Sequence, residues 1–306
     1  MHPERVDFTS ADGARIAAVR WSPAHRGGPV RGVVQIAHGM GEHVLRYAPL
    51  AGALTARGFV VQGQDHRGHG RTAQIAGSVP GVLGPGGWDA LVDDIGRLAS
   101  SARTAHPGVP VVVLGHSMGS FAVTQFLLDH SREVDAAVLT GTAVLDALAA
   151  QIDPAAPIDL SGFNAAFAPA RTDYDWLSRD PDQVDLYVAD PWCGFGLDAA
   201  GTAGMLAGGI RAADPEQLAR MRPDLPVYVA VGDRDPVGGP VVLARTLVER
   251  LGTAGLGDVT FRVRPGARHE VFNETDRDET VEDLLTWLDR VVPDPLATTR
   301  GTTTRG

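Results

Sequence analysis

The chain has 306 residues, of which 44% are hydrophobic, and 27 basic against 37 acidic residues give a net charge of −10. This length allows either two domains or one enlarged α/β domain, of which we expect the single domain, and the negative charge opposes nucleic acid as a partner. All basic residues are Arg, so the lack of Lys excludes Walker A ATPases, kinases with a β3 lysine, pyridoxal-phosphate Schiff bases and S-x-x-K acylation sites.

Signals for export, membrane spans and redox chemistry are missing from the sequence. No run of eighteen apolar residues occurs, and the first ten residues lack the basic and apolar stretches of a signal peptide. The single cysteine, Cys193, excludes an internal disulfide and a CxxC cluster. We therefore expect a cytoplasmic protein without cofactor or metal, and the bias toward Arg suggests a GC-rich bacterial genome.

The chain opens with a predicted hairpin of Val6–Thr9 and Arg15–Trp21, joined by the tight-turn pair Asp12-Gly13. Short apolar, β-branched runs then predict buried strands at Gly32–Ala37, Phe59–Gln64, Val111–Leu114, Ala136–Thr140, Val227–Val231 and Val259–Val263. Helices are predicted at Tyr47–Arg57, Asp89–His106, Met118–His130, Val241–Gly252 and Thr280–Val291. This alternation predicts an α/β fold with a mostly parallel sheet covered by helices on both faces.

One long segment interrupts this alternation. Residues 142–225 lack a strand–helix rhythm and are rich in Pro, Gly and aromatic residues, so we expect a lid inserted over one edge of the sheet. The predicted core then comprises residues 1–141 and 226–292. Residues 293–306, rich in Thr, Arg and Gly, are predicted to be a disordered tail.

A candidate nucleophile follows the third buried run. Gly115-His116-Ser117-Met118-Gly119 is a G-x-S-x-G motif between a predicted strand and a predicted helix. Such a sharp turn presents a serine at the top of the sheet, and only small residues fit two positions on either side. The sequence therefore predicts Ser117 as the nucleophile.

A serine hydroxyl needs a base and a group that orients this base. His269, just past the last predicted strand, is the predicted base, because that strand end lies at the edge where Ser117 emerges. Asp233 and Asp235 both follow the strand after the inserted segment and compete for the third role. We favour Asp235, since Asp233 beside the glycine turn is better placed to cap the loop.

The oxyanion formed during acyl transfer also needs backbone donors. The glycine-flanked stretch from His38 to His43 follows the first buried strand, and Met40 N–H is the predicted donor there. Met118 N–H, at the start of the helix after the nucleophile, is its predicted partner.

These motifs together resemble the monoacylglycerol lipase and lysophospholipase-like group of α/β-hydrolases, also called the serine aminopeptidase S33-like group. The likeness runs through most of residues 31–288. It rests on the stretches HGMGEH with Arg46-Tyr47, DHRGHG at 65–70, GHSMGS, Gly232 to Asp235, and GARHE with Glu274. The Asp190-Pro191-Trp192-Cys193 segment is also similar to monoacylglycerol lipases. The resemblance implies an α/β-hydrolase with esterase or lipase chemistry and a lid over an acyl tunnel.

Two further sets of residues have competing interpretations. His66 and His69 beside Asp65 could suggest a metal site, but metalloenzyme spacings are missing and a hydrogen-bonded loop is favoured. Apolar residues of the inserted segment could form its own core, line an acyl pocket or touch lipid transiently. The predicted substrate-binding residues among them are Phe163, Phe167, Trp192, Cys193 and Met205.

The predicted function is hydrolysis of a carboxylic ester through an acyl-enzyme on Ser117, with a monoacylglycerol or related single-chain lipid ester as substrate. The alternative is a general carboxylesterase, thioesterase or amidase for a small soluble substrate, because fold and nucleophile do not decide the leaving group. A catalytically dead binding protein is disfavoured, since no position of the triad is substituted. The sequence does not indicate an oligomeric state.

Overall fold

The computed structural model describes residues 2–24, 29–149, 152–239 and 241–294. Its strands are short and rich in β-branched residues, as expected of runs that pack on both faces of a sheet. In chain order they are β1 (Glu4–Arg5), β2 (Phe8–Thr9), β3 (Arg15–Ile16), β4 (Ala18–Trp21), β5 (Gly32–Ala37), β6 (Phe59–Gln64), β7 (Val111–His116), β8 (Ala136–Thr140), β9 (Val227–Gly232) and β10 (Val259–Arg264).

Within the described residues, eight strands form one sheet in the order β1-β4-β6-β5-β7-β8-β9-β10. The strands from β6 to β10 along this order pair in parallel, whereas β4 pairs antiparallel with both β1 and β6. The predicted mostly parallel sheet is confirmed, and so are its six predicted strands. The carboxyl ends of β5, β7, β9 and β10 meet at one edge, because parallel strands end on the same side.

Helices cover both faces of this sheet. They are α1 (Ala48–Ala56), α2 (Gly70–Ala76), α3 (Gly87–Ala105), α4 (Met118–His130), α5 (Leu145–Ala149), α6 (Pro181–Ala189), α7 (Ala199–Ala213), α8 (Pro215–Leu218), α9 (Val242–Thr253) and α10 (Arg277–Val291). The five predicted helices are present within a few residues of their expected bounds. α2 was not predicted, since its seven residues show no clear apolar periodicity.

The core has two layers because successive strand residues point to opposite faces. On β7, Val111 and Val113 belong to a cluster with α3, α4 and α9, whereas Val112 and Leu114 belong to a cluster with α1 and α10. Every residue of β5 to β9 in the sheet is buried, so neither face is open to water.

The start of the chain differs in part from the predicted hairpin. β2 and β3 pair with each other as a small separate ribbon, and β4 instead joins the main sheet beside β6. The break falls at Ala17, whose N–H donates to Thr72 Oγ1 and whose carbonyl accepts from Asp65 N–H. These contacts come from the loop after β6 and from α2, which a local turn rule cannot anticipate.

The segment between β8 and β9 is helical. It contains α5 to α8 and two 3₁₀ turns, Leu160–Phe167 and Asp175–Leu177, and α7 packs against α3, α4 and α5. Three of its helices begin with an aspartate whose carboxylate accepts a backbone N–H of the first turn: Asp180, Asp198 and Asp214. The division into a core and a lid remains a prediction. In the predicted tail, residues 295–306 lie outside the described residues.

Across the described ranges, no helix combines the length and the hydropathy that a membrane span needs.

Candidate active site

Ser117 lies at a strained turn between β7 and α4. Its backbone has φ 51° and ψ −123°, a left-handed conformation that non-glycine residues rarely adopt. The turn is so tight that a Cβ at Gly115 would lie 2.5 Å from Gly119 O, and one at Gly119 would lie 2.1 Å from Ala37 O. The G-x-S-x-G spacing is therefore a steric requirement of this strand–turn–helix junction.

His269 and Asp235 lie in loops that follow neighbouring parallel strands. Asp235 comes three residues after β9 and His269 five residues after β10. His269 Nδ1 lies 2.9 Å from Asp235 Oδ2 and 3.0 Å from Oδ1, and the two residues are 1% and 0% exposed. Asp235 thus accepts the Nδ1 proton and leaves Nε2 as the basic nitrogen of the ring.

Asp233, the competing carboxylate, has a different contact. Its Oδ1 accepts the backbone N–H of Gly266 at 2.7 Å, at the base of the loop that carries His269. Asp233 also lies closer to the end of β9, where its own N–H donates to Arg264 O. Its contacts therefore hold the loop rather than the imidazole.

The surroundings of His269 tune its basicity. Burial alone lowers the pKa of His269, but the charge of Asp235 and its hydrogen bond outweigh burial and raise this pKa above the ordinary 6.5. The neighbouring ring of His116 is 4.7 Å away between centroids. Burial and the charge of His269 lower the pKa of His116 to about 4, so this neighbour is neutral near pH 7.

The loop after β5 carries Met40 and is held on both sides of it. Gly39 N–H donates to Glu42 Oε1 at 2.5 Å, while Gly41 O accepts from Tyr187 OH at 2.8 Å and from Gly194 N–H at 3.0 Å. Tyr187 and Gly194 belong to the segment between β8 and β9, so this segment helps to fix the loop.

Met40 and Met118 both line the cavity that contains Ser117. Met118 is the first residue of α4, and its N–H therefore has no acceptor within the helix. The positive end of the helix dipole lies at the same point. Both predicted donors thus lie beside the candidate nucleophile.

An ionic network that the sequence reasoning did not assign lies behind this loop. Arg46 binds Glu270 with both terminal nitrogens, at 2.6 and 2.8 Å, and Glu42 Oε2 at 2.6 Å. Tyr47 OH donates to Glu42 Oε1 at 2.8 Å. Burial alone would raise the pKa of Glu270, but Arg46 lowers it to about 2. Glu42 and Glu270 stand in the HGMGEH and GARHE stretches, and Arg46-Tyr47 follows the first of them, so the motifs contained these residues without indicating their roles.

The cavity around Ser117 has both polar and apolar lining residues. It encloses about 550 Å³ of non-protein space, part of it open to solvent. Its polar lining includes Glu42, Tyr187, His269 and Glu270. Its apolar lining includes Phe121, Leu148, Ile152, Ile158, Leu160, Phe163, Met205 and Val237.

Two of the five predicted substrate-binding residues line this cavity, and three do not. Phe163 and Met205 line it, whereas Phe167, Trp192 and Cys193 lie outside its lining. The ring of Phe167 lies 4.4 Å below the guanidinium carbon of Arg268. Trp192 packs edge-on against His43 at 5.5 Å between centroids.

His66 and His69 form a buried cluster with His38 below the Met40 loop. The ring centroid of His38 lies 4.3 Å from that of His66 and 5.3 Å from that of His69. His66 N–H donates to His38 Nε2 at 2.9 Å, and His38 Nδ1 lies 2.8 Å from Gly39 O. The cluster thus supports the loop. Burial first, and then the charge of His69, lower the pKa of His66 to about 3; burial lowers that of His69 to about 4.

Comparisons with known proteins identify the family of the chain. Residues 28–276 match the family described as serine aminopeptidase, S33. A protein named monoacylglycerol lipase from Mycolicibacterium smegmatis is 34% identical over 92% of this chain and 95% of its own length. Human monoglyceride lipase is 30% identical over 62% of this chain and 61% of its own length.

Solved structures show the same architecture. A thermostable carboxyl esterase from Bacillus coagulans, in complex with glycerol, is similar with a TM-score of 0.84 and 27% identity, covering 95% of this chain and 99% of its own. A monoglyceride lipase variant from Saccharomyces cerevisiae has a TM-score of 0.77 at 21% identity, over 95% of this chain and 96% of its own, which supports the fold. The expected α/β-hydrolase fold is confirmed. The chain belongs to the serine aminopeptidase S33 family of α/β-hydrolases.

Proposed function

We propose that the protein hydrolyses carboxylic esters of single-chain lipids, with monoacylglycerols as the foremost substrates. The observation that carries the proposal is that Ser117, in its strained turn, and His269, which is paired with Asp235, line one cavity. Membership of the S33 family and the similarity to proteins named monoacylglycerol lipase support the substrate class.

In the proposed reaction, Ser117 Oγ attacks the ester carbonyl while His269 Nε2 takes the hydroxyl proton. The tetrahedral intermediate collapses to an acyl-enzyme, and His269 returns the proton to the departing alcohol. Water then attacks the acyl-enzyme with His269 as base again, and the fatty acid is released. Asp235 holds the imidazole in the required tautomer and stabilises its positive charge.

The developing oxyanion is stabilised by Met40 N–H and Met118 N–H. Their loops need not move during the reaction, because Glu42, Tyr187 and Gly194 hold one of them and helix α4 holds the other. Donors that are fixed in advance cost no reorganisation when charge develops, and losing one donor typically costs about 100- to 1000-fold in rate.

The mixed lining of the cavity favours an amphiphile. A glyceryl group has hydroxyls that can exchange hydrogen bonds with polar lining residues such as Tyr187, whereas an acyl chain buries its methylenes among Ile152, Leu160 and Phe163. Each methylene removed from water stabilises the complex by about 0.8 kcal/mol. A cavity of this type therefore binds a single-chain ester better than a fully polar one.

Residues 142–225 are proposed to act as the lid of this cavity, over the core of residues 1–141 and 226–292. Leu148, Leu160, Trp176 and Met205 of this segment contribute to the wall of the cavity. Leu186, Val188 and Ile210, also in this segment, are exposed apolar side chains. They support transient contact of the lid with a lipid surface. A cytoplasmic location, expected from the sequence, stays a prediction.

The test is a series of initial hydrolysis rates on monoacylglycerols from short to long acyl chains, with Ser117→Ala as blank. We expect rates that peak at medium or long chains and that vanish in the variant. Labelling by a fluorophosphonate probe should likewise require Ser117. Unchanged hydrolysis by Ser117→Ala would overturn the mechanism.

A second candidate is a carboxylesterase for smaller esters. The structural similarity to the Bacillus coagulans carboxyl esterase favours this candidate. Both functions use the same triad and differ in the acyl group that is accepted. Rates that are highest on the shortest ester and fall steadily with chain length would select the carboxylesterase.

A further inference from the structure

A second group of chemically active side chains lies beside the Met40 loop, outside the lining of the catalytic cavity. His43, Asp190 and Cys193 each offer one ligand atom, and these atoms all lie within 4.8 Å of one another. His43 is 5% exposed and ends the HGMGEH stretch, whereas Asp190 and Cys193 lie in the turn after α6. His43 lies 147 positions before Asp190, too far for the three residues to form a recognisable ligand spacing in the sequence.

The local hydrogen bonds hold these ligand atoms in place. Asp190 Oδ1 accepts Trp192 N–H at 2.9 Å, while Oδ2 lies 2.9 Å from His43 Nε2. Asp190 O accepts Cys193 N–H at 3.1 Å and closes the turn, which brings the thiol back toward the carboxylate. One carboxylate oxygen of Asp190 thus binds the turn, and the other contacts the imidazole of His43.

His43 is not fully satisfied in this arrangement. Its second ring nitrogen, Nδ1, is buried and has no hydrogen-bond partner among the described residues. The ring is therefore contacted through Nε2 alone, and Nε2, next to Asp190 Oδ2, is the nitrogen placed to bind an ion.

We propose that His43, Asp190 and Cys193 form a binding site for a zinc ion. Imidazole, thiolate and carboxylate are the zinc ligands of proteins, at about 2.0 to 2.3 Å from the ion. Such bonds place ligand atoms roughly 3.3 to 3.7 Å apart in a tetrahedron. Moving the present atoms to these separations takes shifts on the order of 1 Å. His43 binds as the neutral ring, and the proton of the Cys193 thiol passes to solvent.

The donor set also selects the class of metal. A thiolate and an imidazole favour zinc and similar borderline-soft ions, whereas magnesium and calcium prefer oxygen ligands. Three protein ligands leave a fourth position for water.

The position of the site indicates what the ion would do. Gly194, next to Cys193, already donates to Gly41 O across the junction between the inserted segment and the Met40 loop. A zinc ion would add coordinate bonds across this same junction. We therefore expect zinc to slow the amide hydrogen exchange of residues 187–194.

In the experiment, the full-length, tag-free protein is first treated with a chelator and then titrated with zinc, and calorimetry measures the binding. We expect one zinc ion per chain and an affinity at least ~10-fold weaker in Cys193→Ser and in His43→Asn. The matched control is His130→Asn, because His130 pairs with Glu133 at 2.7 Å on the surface without a cysteine nearby. This control should bind zinc like the original chain.

Cobalt(II) provides a second measurement, since a cysteine ligand adds a thiolate-to-cobalt charge-transfer band in the near ultraviolet. The band should appear with the original chain and disappear in Cys193→Ser, with Cys193→Ala as the substitute if that variant does not fold. Missing zinc binding, a missing band, or binding unchanged in the folded variants would overturn the proposal. None of these measurements uses hydrolysis, so they can fail while the proposed function stands.

Discussion

Arg46 forms a two-point ion pair with Glu270, the residue that follows the candidate base His269. Nη1 lies 2.6 Å from Oε1 and Nη2 lies 2.8 Å from Oε2, and Nη1 also lies 2.6 Å from Glu42 Oε2. One guanidinium thereby joins the loop of Met40 to the loop of His269. Because the planar group fits a carboxylate at two points, it fixes orientation as well as distance.

Replacing Arg46 by Met should destabilise the protein by roughly 3 to 5 kcal/mol, because two buried carboxylates lose their counter-ion. The free energy of unfolding in urea measures this loss. Arg57→Met is the matched control, since Arg57 pairs with Glu282 and Asp289 on the surface and should cost at most about 1 kcal/mol. Equal losses in the two variants would contradict the structural role of the buried network.

Asp235→Asn should lower kcat by about 10⁴-fold on any ester that the enzyme cleaves, because the amide no longer orients the imidazole as a base. Asp233→Asn keeps a carbonyl oxygen that can accept Gly266 N–H, so we expect a loss of less than ~10-fold. Steady-state kinetics on one substrate compares the two. The reverse order of losses would assign the orienting role to Asp233.

The pH profile of kcat/KM should show an acidic limb governed by His269. Its pKa is raised above 6.5, and the ring must be neutral to accept a proton, so the rate falls about tenfold per pH unit below that pKa. Asp235→Asn removes the charge that opposes burial, so its remaining activity should show a limb shifted below 6.5. An unshifted limb would mean that another group controls the profile.

Met205→Phe should shift the preference toward shorter acyl chains, because Met205 lines the cavity and a larger rigid ring takes up acyl space. We expect the ratio of long-chain to short-chain kcat/KM to fall by at least ~10-fold. Phe167→Leu is the control, since Phe167 packs on Arg268 outside the lining. A ratio that changes only in the control would place the acyl chain elsewhere.

The buried histidines should make the fold sensitive to acid. His66 and His69 have pKa values of about 3 and 4 in the folded protein, below the 6.5 of an unfolded chain. The unfolded state therefore binds more protons below pH 6.5, and stability is lost as the pH falls from there toward the folded values. At pH 5 each of these two histidines lowers the free energy of unfolding by about 2 kcal/mol relative to pH 7.5.

Urea unfolding at the two pH values measures this difference. The raised pKa of His269 acts with the opposite sign, because the folded state holds that proton more tightly. His69→Asn, whose amide can still donate to Arg67 O, should reduce the difference by about 2 kcal/mol. A pH difference that is the same in this variant would show that His69 does not take part in acid unfolding.

Much of the fold was predictable because its rules are local. Buried parallel strands are short β-branched runs, and the turn at Ser117 accepts only glycine at 115 and 119, where a Cβ would meet backbone atoms at 2.5 and 2.1 Å. The order of the strands along the chain also places Ser117, Asp235 and His269 after three strands of one parallel sheet. Such patterns can be read without knowing any distant contact.

Other features depended on contacts between distant parts of the chain. Asp233 and Asp235 look alike in sequence, and only the approach of the β10 loop brings Asp235 Oδ2 to 2.9 Å from His269. Likewise, Arg46 and Glu270 are 224 positions apart, so no spacing could reveal their pair.

The roles of the apolar residues in the inserted segment likewise could not be distinguished from the sequence, because these residues are chemically similar. Folding places Phe163 and Met205 on the cavity wall and Phe167 beneath Arg268. The sequence by itself thus determined the sheet, its turns and the candidate nucleophile, since backbone sterics and hydrophobic periodicity act over a few residues. Only the tertiary structure decided which carboxylate contacts His269, which cation pairs with Glu270 and which apolar side chains line the cavity of Ser117, because those choices depend on how separate loops pack together.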